Sequence, residues 1–155
     1  MRREIAIGVA FALGACASGG GELPAPASLA GDREQPVLAL FEHVLTGYFA
    51  GAGAGGPTTC ARLSPTPLTA EQETALIKRF VRLAPAERCV GNASGTVDAI
   101  TGAPAQAVQV YEFACQGAEL CSGWVAVPGA PATRYAMRFD GGAWRFDSDR
   151  RIIAQ

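Results

Sequence analysis

The chain has 155 residues, with 13 basic and 14 acidic side chains. A net charge of −1 provides no long-range field for nucleic acid or for an anionic lipid surface, so neither is expected as a partner. With an N-terminal leader and tether set aside, about 120 residues remain, enough for one small domain around one core.

Arg2 and Arg3 open the chain, and an apolar run follows from Ile5 to Leu13. That run has the length of a signal-peptide core. It is far short of the ~20 residues that a spanning helix needs. It ends in Leu13-Gly14-Ala15-Cys16, and this order resembles the lipobox of bacterial lipoproteins. The resemblance implies removal of residues 1–15 and a diacylglyceryl thioether on Cys16. The acylated Cys16 would then hold the protein on a lipid membrane in the bacterial cell envelope. Ala17 stands where an Asp often retains such proteins at the inner membrane, so the resemblance points to the outer membrane, facing the periplasm. Ala15-Cys16-Ala17 also fits an ordinary secretory cleavage site, which would release a soluble periplasmic protein instead. Residues 16–32, rich in Gly, Ala and Pro, read as the lipidated cysteine and a flexible tether.

A single globular domain is expected over residues 33–155. Pro36 suits a first helical position, and Val37, Leu40, Phe41, Val44, Leu45 and Tyr48 recur at helical spacing. Counting from Phe41, His43 falls about 200° round the helix, away from the core and beside Glu42 in water. The run Gly51 to Pro57 breaks the helix and predicts a mobile loop. Thr58 to Leu63 reads as a short edge strand. Thr69 caps a second helix with Gln72 as its capping-box partner, and Pro85 ends it. Leu76, Ile77, Phe80, Val81 and Ala84 form its apolar stripe. Lys78, Arg79, Arg82 and Arg88, with Glu71, Glu73 and Glu87 nearby, read as a solvated face.

After Ser94 the period changes to two. Thr96–Thr101, Gln106–Cys115, Leu120–Val127, Thr133–Phe139 and Ala143–Ile153 read as five strands. Tyr111, Phe113 and Cys115 alternate on one face, as do Cys121, Val125 and Val127, and Tyr135, Met137 and Phe139. Asp140-Gly141-Gly142 signals a tight hairpin. The fold class is therefore α+β, with two N-terminal helices packed on a curved antiparallel sheet of about five strands. Two helices before a meander that ends in "RFDGGAWRF" resemble the nuclear transport factor 2-like cone fold.

Five cysteines are odd in number, but assigning Cys16 to lipid leaves Cys60, Cys89, Cys115 and Cys121. An oxidising compartment favours disulfides, and four cysteines allow three pairings. Cys60–Cys89 would clasp the ends of a helical segment, and Cys115–Cys121 would bridge a short hairpin. A metal site is the rival reading, but Cys115-x5-Cys121 lacks tight zinc spacing and the chain has one histidine, so no metal and no cofactor are expected. Nucleophile-elbow and zinc-protease motifs are missing. If the domain were a cone, Asp98, Tyr111 and Glu112 would be the candidates for proton transfer, a desolvated carboxylate having a raised pKa. Trp124 and Trp144 read as core or cone lining. Two functions follow. One is a non-catalytic domain that binds a protein partner or a small apolar ligand. The other is an isomerase- or dehydratase-type enzyme.

Overall fold

The computed structural model describes residues 26–149, apart from 54 and 94. The leader, Cys16, the tether up to residue 25 and the end of the last predicted strand lie outside the described residues. Among the described residues two α-helices, α1 (Pro36–Gly51) and α2 (Ala70–Arg79), accompany eight strands. The strands are β1 (Thr58–Ser64), β2 (Leu83–Ala84), β3 (Cys89–Asn92), β4 (Gly95–Asp98), β5 (Ala105–Cys115), β6 (Leu120–Ala126), β7 (Thr133–Asp140) and β8 (Ala143–Asp149). Six of them form one open sheet in the order β2-β1-β5-β6-β7-β8, and β3-β4 is a separate ribbon. The class is α+β, as expected.

The sheet is mixed rather than wholly antiparallel. β1 runs parallel to both β2 and β5, while β5 to β8 form an antiparallel meander. β1 is thus interior, not an edge strand. Its neighbours arrive through crossovers, and Thr59, Cys60 and Ala61 are buried between them. β2 also corrects the second helix, which stops at Arg79 and does not run on to Pro85. Pro85 biases Ala84 toward extended backbone, and Leu83 is buried by pairing beside Thr59. Val81, counted on the apolar stripe, is 92% exposed in the intervening turn. The start of α2 forms as read. Thr69 accepts from the Gln72 N–H at 3.2 Å, and Gln72 accepts from the Thr69 N–H at 3.0 Å.

The core lies between α1 and one face of the sheet. Leu40, Phe41 and Leu45 are fully buried against Val108, Val110, Val125, Met137 and Trp144. Alternation holds on β6, β7 and β8 but fails on β5. A register shift between Tyr111 and Ala114, with Glu112 at φ 50°, moves Phe113 to the core face. Tyr111 therefore points to the face without α1, where its ring lies parallel to that of Trp124, its register partner. This corrects both residues: neither joins the core, whereas Trp144 does. Phe113 lies over Gly123, where an added Cβ would sit 3.0 Å from the Phe113 ring. Gly141 and Gly142 adopt φ 59° and 79° in the hairpin turn, which L side chains resist.

Both disulfides form as paired from the sequence. Cys60–Cys89 ties β1 to the ribbon with a Cα separation of 6.2 Å, enclosing α2 between its ends. Cys115 and Cys121 are register partners across the β5–β6 hairpin, with Cα atoms 3.9 Å apart.

Candidate functional site

The three proton-transfer candidates do not converge. Asp98 ends β4 and is 1% exposed. Its carboxylate is saturated. Arg88 donates through Nη2 to Oδ2 and through Nε to Oδ1 (3.3 Å), Thr58 Oγ1 donates to Oδ2 at 2.6 Å, and the Ile100 N–H donates to Oδ1 at 2.9 Å. The Arg88 guanidinium, helped by Thr58 and the Ile100 amide, holds this acid well below the usual carboxylate range. The expected upward shift is therefore reversed, because hydrogen bonds to the charged form outweigh burial. Asp98 acts as a joint between β1, the Ala86–Arg88 turn and the 98–103 loop. Tyr111 pairs with Ser64, six residues along β1 from Thr58, which places it ~20 Å of strand away from Asp98. Glu112 is exposed on the bulge.

A second acidic joint escaped the sequence reading. Glu42 is buried, not in water. Its Oε1 accepts from Arg79 Nε at 2.7 Å, and its Oε2 accepts from Ser28 Oγ at 2.8 Å and from the Ala30 N–H at 2.9 Å. Residues 28–32, assigned to the tether by composition, are thereby held against α1, and Trp144 Nε1 donates to the Asp32 carbonyl at 3.0 Å. The signal for Glu42 was present: Leu38 and Leu45, four residues before and three after, are core residues on the same side of the helix. Arg79 and Arg88 likewise leave the expected solvated face, while Arg82 stays exposed but engaged. Arg82 donates to the carbonyls of Ala52 (2.9 Å) and Gly53 (2.8 Å) and sits over the Phe49 ring, so the glycine-rich run is tied down at its start.

The opposite end of the sandwich is open. A cleft of about 370 Å³ lies between the second half of α1 and the β6–β7 turn. His43, Gly47 and Tyr48 form one wall, and Val125, Val127 and Tyr135 the other. His43 keeps an exposed edge, yet its ring stacks on Phe146 at 4.3 Å and meets Tyr135 edge-on at 5.6 Å. It is thus engaged with the sheet rather than free in water. Burial pushes its pKa down, favouring the neutral ring. Tyr48 is fixed by donating from its hydroxyl to Gln106 Oε1 at 2.6 Å. Nothing in the sequence marked the cleft, because His43, Gly47 and Tyr135 come together only when the helix crosses the sheet. A second cleft, of about 480 Å³, lies beside β1, with Arg62, Glu73, Glu87 and Gln109 in its lining. Arg62 there already donates to the Cys89 carbonyl, and Glu73 accepts the Ala86 N–H at 2.6 Å.

Among the described residues no group of three His, Cys, Asp or Glu side chains is placed to hold a metal ion. Among the same residues, no helix is long and apolar enough to cross a membrane. Comparison with protein-family models, with curated proteins and with solved structures finds no match.

Proposed function

We propose that this protein is a lipid-anchored bacterial envelope lipoprotein, outer-membrane sorted, whose domain is a binding module rather than a catalyst. The observation that carries the reading is the cysteine pattern. Leu13-Gly14-Ala15-Cys16 has the order of a lipobox, and the other four cysteines are spent on one another in two disulfides. Disulfides suit an exported protein, and their pairing leaves Cys16 for another use. Two or more acyl chains on that residue would give durable membrane attachment, where one would be marginal.

The helix-then-meander order supports describing the domain as a nuclear transport factor 2-like cone. Isomerase or dehydratase chemistry in such a cone would need an acid and a base paired in its interior, and the cleft offers His43 with no Asp or Glu in its lining. Asp98 has no free lone pair to offer, Tyr111 is on the other face of the sheet, and Glu112 points to solvent. Binding is therefore the reading we adopt.

Mass spectrometry of the mature N-terminus tests the anchor. A chain beginning at acylated Cys16 is expected, with Cys16→Ser moving the protein from the membrane to the soluble periplasmic fraction. An unmodified mature chain that begins after Cys16 would overturn the reading.

A further inference from the structure

We propose that the cleft between the second half of α1 and the β6–β7 turn binds a small, uncharged aromatic molecule carrying a hydroxyl or similar single polar group. The inference rests on the reading of the domain as a binding module. It does not depend on the anchor.

Four observations carry it. First, the cleft's volume of about 370 Å³ falls within the range of small-molecule sites. Second, its walls hold no Asp, Glu, Lys or Arg side chain. A charged ligand would lose its hydration there without a counter-charge, which is costly, so the site selects neutral molecules. Third, the walls combine aromatic rings with polar groups left over from the fold. Among the described residues the His43 ring nitrogens and the Tyr135 hydroxyl have no protein hydrogen-bond partner, whereas the Tyr48 hydroxyl is already used. An aromatic ligand can pack beside these rings, against Val125 and Val127, while its hydroxyl bonds to one free group.

The fourth observation is Gly47. It sits inside α1, where glycine is the poorest helix former after proline. No feature of the fold requires it: its backbone has no positive φ, and an added Cβ would meet nothing within 4 Å. What glycine does at this position is leave the wall of the cleft without a side chain. A helix that gives up propensity where a side chain would fill a cavity is what a ligand site requires, since stability and binding compete for the same space.

The test uses the full chain carrying Cys16→Ser, so that no lipid competes for the probe, and pairs 1-naphthol with 1-naphthoate. The two probes share an aromatic body and differ in charge. Amide NMR titration with 1-naphthol is expected to shift Gly47, Val127, Thr133 and Tyr135, while 1-naphthoate leaves them in place. Gly47→Leu should weaken 1-naphthol binding by at least about tenfold. Its melting temperature should equal or exceed that of the parent, because leucine favours the helix and enters open space. Ala130→Trp, on the exposed turn at the mouth of the cleft, provides a second block should Gly47→Leu fail to fold. Failure of 1-naphthol to bind, equal binding of the carboxylate, or undiminished binding by the blocking variants would each overturn the proposal. None of these outcomes bears on acylation of Cys16, which the mass measurement decides separately.

Discussion

The two halves of α1 are built to different ends. From Val37 to Leu45 the helix is buried on nearly all sides except at His43. The sheet covers one flank, and residues 28–32, clamped by Glu42 and Trp144, close the other. From His43 to Ala50 the helix carries the cleft on one side, and its C-terminal carbonyls are tied by Arg82. Along α1, packing is thus concentrated in the first half, and the cleft is left beside the second. A small domain with one core has little stability to spare, so a cavity is tolerable only where the rest of the helix is firmly held.

The largest test of that contrast is Phe41→Ala. Phe41 is fully buried, and its removal should cost about 3–5 kcal/mol in urea unfolding. The substitutions that fill the cleft should cost nothing. A small effect at Phe41 would mean that the packed half is loose and that the contrast is false.

Next in size is Glu42→Ala. It removes the acceptor for Arg79, Ser28 and the Ala30 N–H together. Losing a buried ion pair can cost several kcal/mol, but Arg79 is partly exposed and regains water. We expect about 2–3 kcal/mol. The more specific readout is limited proteolysis, which should begin to cut within residues 28–32 in the variant and not in the parent. Protection of that segment in Glu42→Ala would show that Trp144 and the apolar contacts of Leu29 hold it alone.

The packed half was more legible in the sequence than the open half, for a physical reason. Helical spacing from Val37 to Leu45 and period-two alternation from β6 to β8 are local signals, and the core follows from them directly. The Thr69–Gln72 capping box and the Asp140-Gly141-Gly142 turn are also local, and both formed as read. Apart from Glu42, whose helical spacing between Leu38 and Leu45 was a local signal, the failures were non-local. Leu83 and Ala84 form a parallel strand only because β1 lies beside them, and two residues carry no period. Alternation on β5 breaks at Glu112, where one extra residue reverses the face assigned to Tyr111. Asp98 appeared as a candidate acid because its partners Thr58 and Arg88 are distant in sequence or arrive by a turn. The cleft has no linear signature at all.

The smallest effect comes from His43, the residue where the two halves meet. Its ring stacks on Phe146 and meets Tyr135, so His43→Ala should cost about 1 kcal/mol at pH 8, more than a solvated surface histidine would. The pH dependence sharpens the point. Burial depresses the folded-state pKa of His43 below its ordinary value, so between the two values the unfolded chain binds more protons than the folded one. The contribution is therefore fully present above about pH 6.5 and declines as the pH falls through the folded-state value. In His43→Ala this component disappears, so the stability gap between parent and variant should be wider at pH 8 than at pH 5. Urea unfolding of both proteins at the two pH values measures it. A gap that widened toward acid would mean that the Phe146 ring stabilises the imidazolium more than burial penalises it. The walls of the cleft would then favour a cation, and the contrast between a packed half and a neutral, open half would fail at its boundary.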